Sequence, residues 1–266
     1  MTCIIEIISI GNELLIGQII NTNAQWIAKY ISSLGGIVRR INTVRDSVDE
    51  ISSILRDTLK RNPTFIITTG GLGPTFDDKT LKAIAVALNS LLELNEEALA
   101  MVKARYCNYK KNITKIIELT PARLKMATLP RGATPLHNPK GTAPGVIIHI
   151  DSSTIIALPG VPGEMKAIFE ESVLPMISDS IGNLFVHGRY LKVTGIVESE
   201  IAPLIDATMH DNPDVYIKSH PKLRSHLELH FTATSKSKKE TENTVEKSIK
   251  NISQLIYEHG GTIEEF

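Results

Sequence analysis

Apolar, β-branched runs alternate with amphipathic helical patterns through the first third of the chain. CIIEIISI (3–10) ends at Gly11 and reads as a strand buried on both faces. NAQWIAKYISSLGG (23–36) follows, with Asn23 as N-cap, apolar residues at helical spacing and a Gly-Gly stop. IVRRINTV (37–44) alternates as a strand does. SVDEISSILRDTLKR (47–61) opens with a Ser-x-x-Glu capping box and sets Val48, Ile51, Ile54, Leu55 and Leu59 along one stripe. TFIITT (64–69) is a further strand and DKTLKAIAVALNS (78–90) a further helix. Repeated strand–helix units require right-handed crossovers, so the class is α/β, with a parallel sheet between helical layers.

Residues 95–127 read as further helix, broken near Thr120-Pro121. Short strands follow at 133–138, 144–150 and 153–160, and a closing helix at 162–177. The polar, turn-prone SDSIGN (178–183) marks a domain boundary, which gives domains at 1–177 and 184–266. The second has a different rhythm. Its strand–helix–strand–strand–helix–strand order suits a small α+β (βαββαβ) open-faced sandwich.

Composition narrows the function. Lys plus Arg number 29 and Asp plus Glu 29, so a broad basic surface for nucleic acid is not expected. Two cysteines, Cys3 and Cys107, cannot form a disulfide framework. Neither a leader nor a membrane span is apparent, and the expected compartment is the cytoplasm.

The chemistry concentrates in TTGGLGPTFDDKT (68–80). Gly70, Gly71 and Gly73 allow backbone N–H groups to approach a phosphate, and the helix that follows favours negative charge. The loop is neither a Walker A nor a GxGxxG fingerprint. In a doubly wound sheet ligands bind at the carboxyl ends of strands, where 11–23, 44–47 and 158–165 also fall. One aspartate at a helix start would be a cap. Asp77 and Asp78 together, with Glu13 and Asp46 on neighbouring loops, favour acid/base or divalent-metal work. Read from the residues alone, Asp46 serves equally as a helix-start residue, Glu13 as an uninvolved surface acid, and Lys140 better as a solvated lysine than a phosphate ligand. Trp26, at helical spacing with Ile27 and Tyr30, reads as core or interface better than as a base-stacking platform. His226, Glu228 and His230 share one strand face opposite Leu227, Leu229 and Phe231, and read as a solvated or subunit-facing polar side better than as a metal trio.

TTGGLGPTFDDKT, GNELLIGQIINTNAQW, NPKGTAPGV and LPGVPGEM together resemble the CinA family, whose N-terminal domain is similar to the molybdopterin-binding domains of MoaB and MogA. The likeness covers about 1–175, and VTGIVESEIA with KSHP extends it to the CinA middle domain. It implies a three-layer α/β/α sandwich of the molybdopterin-binding type and a homodimer or higher homo-oligomer. The C-terminal deamidase domain of full-length CinA has no counterpart, so that activity is expected to be absent. Carried over by position, Asp78 matches the aspartate that closes the glycine motif, and Asp46 the acid ending the second strand. Asp77, replaced in MogA-like proteins, ranks below Asp78. Thr69, Gly70, Gly71, Gly73 and Pro74 match the phosphate loop. Glu13 and Asn23 match the first loop, and Gly160, Pro162, Gly163 and Glu164 the last. Asn138, Lys140 and Gly141 would line the far side of the pocket.

The resemblance also implies hydrolysis of a nucleotide diphosphate such as ADP-ribose or FAD, releasing AMP. Asp78, Asp46 and Glu13 would hold a divalent metal (cobalt, manganese or magnesium), with potassium as a further cofactor. The rival expectations are a pterin- or nucleotide-binding protein of molybdenum cofactor assembly, and a non-catalytic nucleotide-binding module.

Overall fold

The computed structural model describes residues 3–109, 119–222 and 226–265, arranged as two compact units: Met1–Ser32 with Gly36–Ile181, and Ser33–Gly35 with Gly182–Phe266. Part of the helical span expected at 95–127, residues 110–118, lies outside the described residues.

The first unit begins with β1 (Ile4–Ile10), a four-residue α1 (Asn12–Leu15), α2 (Thr22–Ser33), β2 (Ile37–Val44), α3 (Val48–Leu59), β3 (Phe65–Thr69) and α4 (Thr80–Ala87). It continues through β4 (Leu92–Leu94), α5 (Glu96–Tyr109), α6 (Pro121–Met126), β5 (Thr128–Pro130), β6 (Thr134–Leu136), β7 (Gly145–Ile150) and β8 (Ser153–Leu158). The sheet order is β2-β1-β3-β8-β7-β6. The first four strands are parallel, and β7 and β6 are added antiparallel. The β4–β5 pair is a separate ribbon that the sequence patterns did not announce.

Ile5, Ile7, Ile8, Ile66, Ile67, Ile155 and Ile156 are fully buried, as expected of strands covered on both faces. β2 is the exception. It lies at the sheet edge, and Ile37 and Ile41 remain exposed. Glu6, mid-strand on β1, is fully buried and held by Arg61 and Arg39.

Three local expectations are corrected. Asn23 is not the N-cap of α2: Asn21 Oδ1 accepts the Ala24 amide at 3.2 Å instead. Ser47 makes no side-chain cap, and Glu50 accepts from the Arg45 amide, so the Ser-x-x-Glu box does not close. The closing helix is not one regular element at 162–177. It runs as α7 (Pro162–Ile168), a π-helical turn Phe169–Val173, and α8 (Leu174–Ile181). Pro175 lacks the N–H that would bond Glu171 and crowds that carbonyl, which accounts for the widened turn. SDSIGN is therefore largely helical, and the chain leaves the helix at Gly182, with φ +76°.

The second unit holds β9 (Phe185–Thr194), α9 (Glu198–Asp211), β10 (Val215–Lys222), β11 (His226–Ser235), α10 (Lys238–Glu258) and β12 (Thr262–Glu265). Its antiparallel sheet runs β10-β11-β9-β12, so the βαββαβ reading holds. Leu191, Leu229, Phe231, Val245 and Ile252 form its core, while His226, Glu228 and His230 face away from it. Glu228 pairs there with Lys222 at 2.9 Å, and His230 stacks on Tyr190.

Candidate functional site

The four parallel strands end together, and the loops leaving them enclose a cleft of about 450 Å³. From β1 come Gly11 and Glu13, from β2 Asp46, from β3 the glycine segment, and from β8 Gly160. Tyr106, Thr142 and Glu164 close the remaining side.

The glycine segment has a conformation that side chains would prevent. Gly70 has φ +106°, and a Cβ there would stand 2.2 Å from the Ile10 carbonyl oxygen. Gly71 has φ +68° and would place a Cβ 2.3 Å from Thr80 Oγ1. Thr80 explains the tightness, since its hydroxyl donates to the Gly70 carbonyl at 2.7 Å and its amide to the Gly71 carbonyl at 3.1 Å. The first turn of α4 therefore fastens the loop from behind.

Asp78 Oδ2 accepts the Thr75 amide at 2.8 Å and the Thr75 hydroxyl at 2.5 Å. The Thr75 hydroxyl also contacts Asp77 Oδ1, which is the leading reason the Asp77 carboxyl lies below its ordinary range. Both aspartates thus carry part of the turn's internal bonding as well as lining the cleft. Thr75 was not singled out from the sequence, although a Thr-x-x-Asp spacing was there to signal it. Asp46 Oδ2 accepts the Asn12 amide at 2.8 Å. Burial pushes the Asp46 carboxyl up; the Asn12 amide opposes this, while Glu13 and Asp77 add to the rise.

The cleft brings together Glu13, Asp46, Gly70, Gly71, Gly73, Pro74, Asp77, Asp78, Gly160 and Glu164. It does not include the others. Thr69 is buried in β3. Asn23 Nδ2 donates to the Gly160 carbonyl at 2.7 Å, so it braces the last loop from outside. Pro162 and Gly163 are exposed on the first turn of α7. Lys140 is exposed too, and its carbonyl accepts from Arg105. Asn138 is a buried brace: its Nδ2 serves the Ala143 carbonyl and Glu164 Oε2, both at 2.7 Å, and its Oδ1 takes the Lys140 and Gly141 amides. Gly141 is small because Glu164 lies against it, a Cβ falling 1.8 Å from Glu164 Oε2. The NPKG segment therefore positions Glu164 and does not itself reach the cleft.

The cleft's charged side chains are the carboxylates of Glu13, Asp46, Asp77, Asp78 and Glu164, and carboxylate oxygen is the donor type that suits a hard divalent cation. Among the described residues no three acidic, His or Cys side chains converge into a metal-binding cluster. A cation here would be held by one or two of the acids and by its ligand's own oxygens, as is usual for magnesium-like ions on phosphates. Among the described residues no helix is long and apolar enough to cross a membrane.

Residues 6–179 match the family described as Probable molybdopterin binding domain. A protein from Sulfurisphaera tokodaii is 41% identical over 262 residues, covering 97% of each chain. One from Caldivirga maquilingensis is 44% identical over 256 residues, covering 92% of this chain and 94% of its own. Among solved structures, the protein CinA of unknown function from Thermoplasma acidophilum is similar at 40% identity and a TM-score of 0.59, over 65% of this chain and 98% of that one. The chain belongs to the molybdopterin-binding-domain family, as a CinA-like protein.

Proposed function

We propose that the acidic cleft binds a nucleotide with a diphosphate linkage and hydrolyses it, releasing AMP from a substrate of the ADP-ribose or FAD kind. One observation supports this above the rest: a glycine segment fastened by Thr80 and the carboxylates of Asp46, Asp77 and Asp78 line the same cleft. Backbone N–H groups suit phosphate oxygens, whereas carboxylates beside a diphosphate repel it unless a cation intervenes. A divalent ion (cobalt, manganese or magnesium), held by Asp78 with Asp46 or Glu13, would supply that neutralisation and lower the pKa of water.

The chain's own residues do the remainder. The Gly71–Gly73 backbone is placed to hold the phosphates, since the Gly70 amide already donates to the Leu158 carbonyl at 2.9 Å, and the Thr75–Asp78 turn fixes the segment's exit. Asp46, with its raised affinity for protons, is placed to accept one from the attacking water. The water oxygen bonds one phosphorus, the bridging P–O bond breaks, and the two phosphate products share the water's protons.

The test is AMP release from ADP-ribose, FAD, NADH and ATP with each metal, native protein against Asp78→Asn. Release that the substitution removes supports the reading, and no release from any substrate ends it. The family description favours a second reading, pterin binding in cofactor assembly. Molybdopterin binding, or AMP transfer from ATP onto it, without hydrolysis would support that one.

A further inference from the structure

A second cleft, of about 330 Å³, adjoins the acidic one across the glycine segment, and Gly71, Leu72, Gly73 and Asp78 line both. Its walls have the opposite character. Val48, Leu81 and Leu92 make them apolar, and Lys79, Lys82 and Lys125 bring positive charge. Phe76 also lines it and is 89% exposed, more than any other large apolar side chain described. A phenyl ring at the mouth of an apolar cleft offers a face on which a flat ring can stack.

The three lysines divide the work. Lys125 Nζ donates to the Thr75 carbonyl and so ties the Phe76 turn to α6. Lys79 and Lys82, at the start of α4, remain to face an anion. The size, apolar walls and cationic rim complement one occupant: a heterocycle carrying phosphate. A ring-free anion would leave the leucines unused, and a neutral ring would leave the lysines unused.

We propose that this cleft holds the flat heterocycle of the ligand, with Phe76 as its stacking surface and Lys79 and Lys82 beside its phosphate. The proposal rests on the phosphate-binding reading of the glycine segment. A single ligand then straddles the segment, its ring on the lysine side and its far phosphate on the acidic side. Phe76 would be a specificity-determining residue, since stacking distinguishes ring-bearing from ring-free phosphates.

Calorimetric titration of the full chain, in magnesium, separates the two claims. The probes are AMP, FMN and inorganic diphosphate, which offer a purine, a pteridine-like ring and no ring. Phe76→Ala is expected to weaken the preferred ring-bearing probe about tenfold, as loss of one stacked base does, and to leave diphosphate unchanged. Phe76→Trp should restore the ring-bearing affinity, and Lys82→Glu should weaken it. Whichever of AMP and FMN responds names the ring class. Equal losses for ring-bearing probe and diphosphate, or no loss for either, would overturn the ring site while leaving phosphate binding standing. Failure of the native protein to bind any probe would overturn both.

Discussion

Two acidic side chains on neighbouring strands of one sheet show how differently a carboxylate can be used. Glu6, fully buried on β1, accepts from Arg61 at 2.6 and 3.0 Å and from Arg39 at 2.8 Å. Burial alone would raise its pKa, but the two guanidinium groups outweigh it and hold the carboxyl below its ordinary range. Asp46, just past the end of β2, is half-buried, takes one backbone amide, and has Glu13 and Asp77 as neighbours, so its carboxyl is raised. One acid is satisfied by the protein. The other is left with an excess of negative charge that a ligand or ion would relieve, the pattern of a binding site.

Breaking the satisfied pair should have the largest effect. Glu6→Gln leaves two guanidinium groups with a weaker acceptor and is expected to cost about 3–5 kcal/mol, read as a lower midpoint in urea at unchanged slope. Asp78→Asn should lower AMP release about 100-fold, equivalent to about 2.7 kcal/mol of barrier, with little change in melting temperature. Gly70→Ala forces a Cβ against the Ile10 carbonyl at positive φ, and about 2 kcal/mol of stability should be lost together with phosphate binding.

Asp46→Asn is the sharpest contrast with Glu6. Asn keeps an acceptor for the Asn12 amide and removes a charge from an acidic cluster. Stability at pH 7 should therefore hold or rise by less than about 1 kcal/mol, while hydrolysis falls. The pH dependence separates the two acids by sign. The contribution of Glu6, whose folded pKa is lowered, is present above its ordinary value of 4.5 and is lost as pH falls through the folded pKa. Asp46, whose folded pKa is raised, favours the fold below its ordinary value of 3.8 and penalises it as pH rises through the folded pKa. Unfolding curves across acid pH for Glu6→Gln and Asp46→Asn should show slopes of opposite sign relative to native protein.

The periodicities of β1 to α4 were legible because each buried face repeats in the sequence, and the family motifs pointed to the acidic cleft. What escaped was set by contacts distant in the chain. Asn21 and Asn23 are equally plausible caps by type, and only the Gly160 carbonyl, 137 positions from Asn23, decides between them. Asn138 and Gly141 were expected at the pocket because NPKGTAPGV is one of the motifs that carry the resemblance; their partner is Glu164, and the cleft sees that carboxylate instead. Phe76 gave no periodic signal at all, since a lone exposed aromatic in a turn belongs to no repeat.

Gly71, Leu72, Gly73 and Asp78 form a partition, with a cleft on either side. Whatever settles the segment on one side does so for the other as well, and linkage makes the influence mutual: a cation that tightens ring binding by some factor must itself be held tighter by that factor. On the proposed reading the loop is a coupling element, and metal affinity measured without nucleotide would fall below the affinity measured with it.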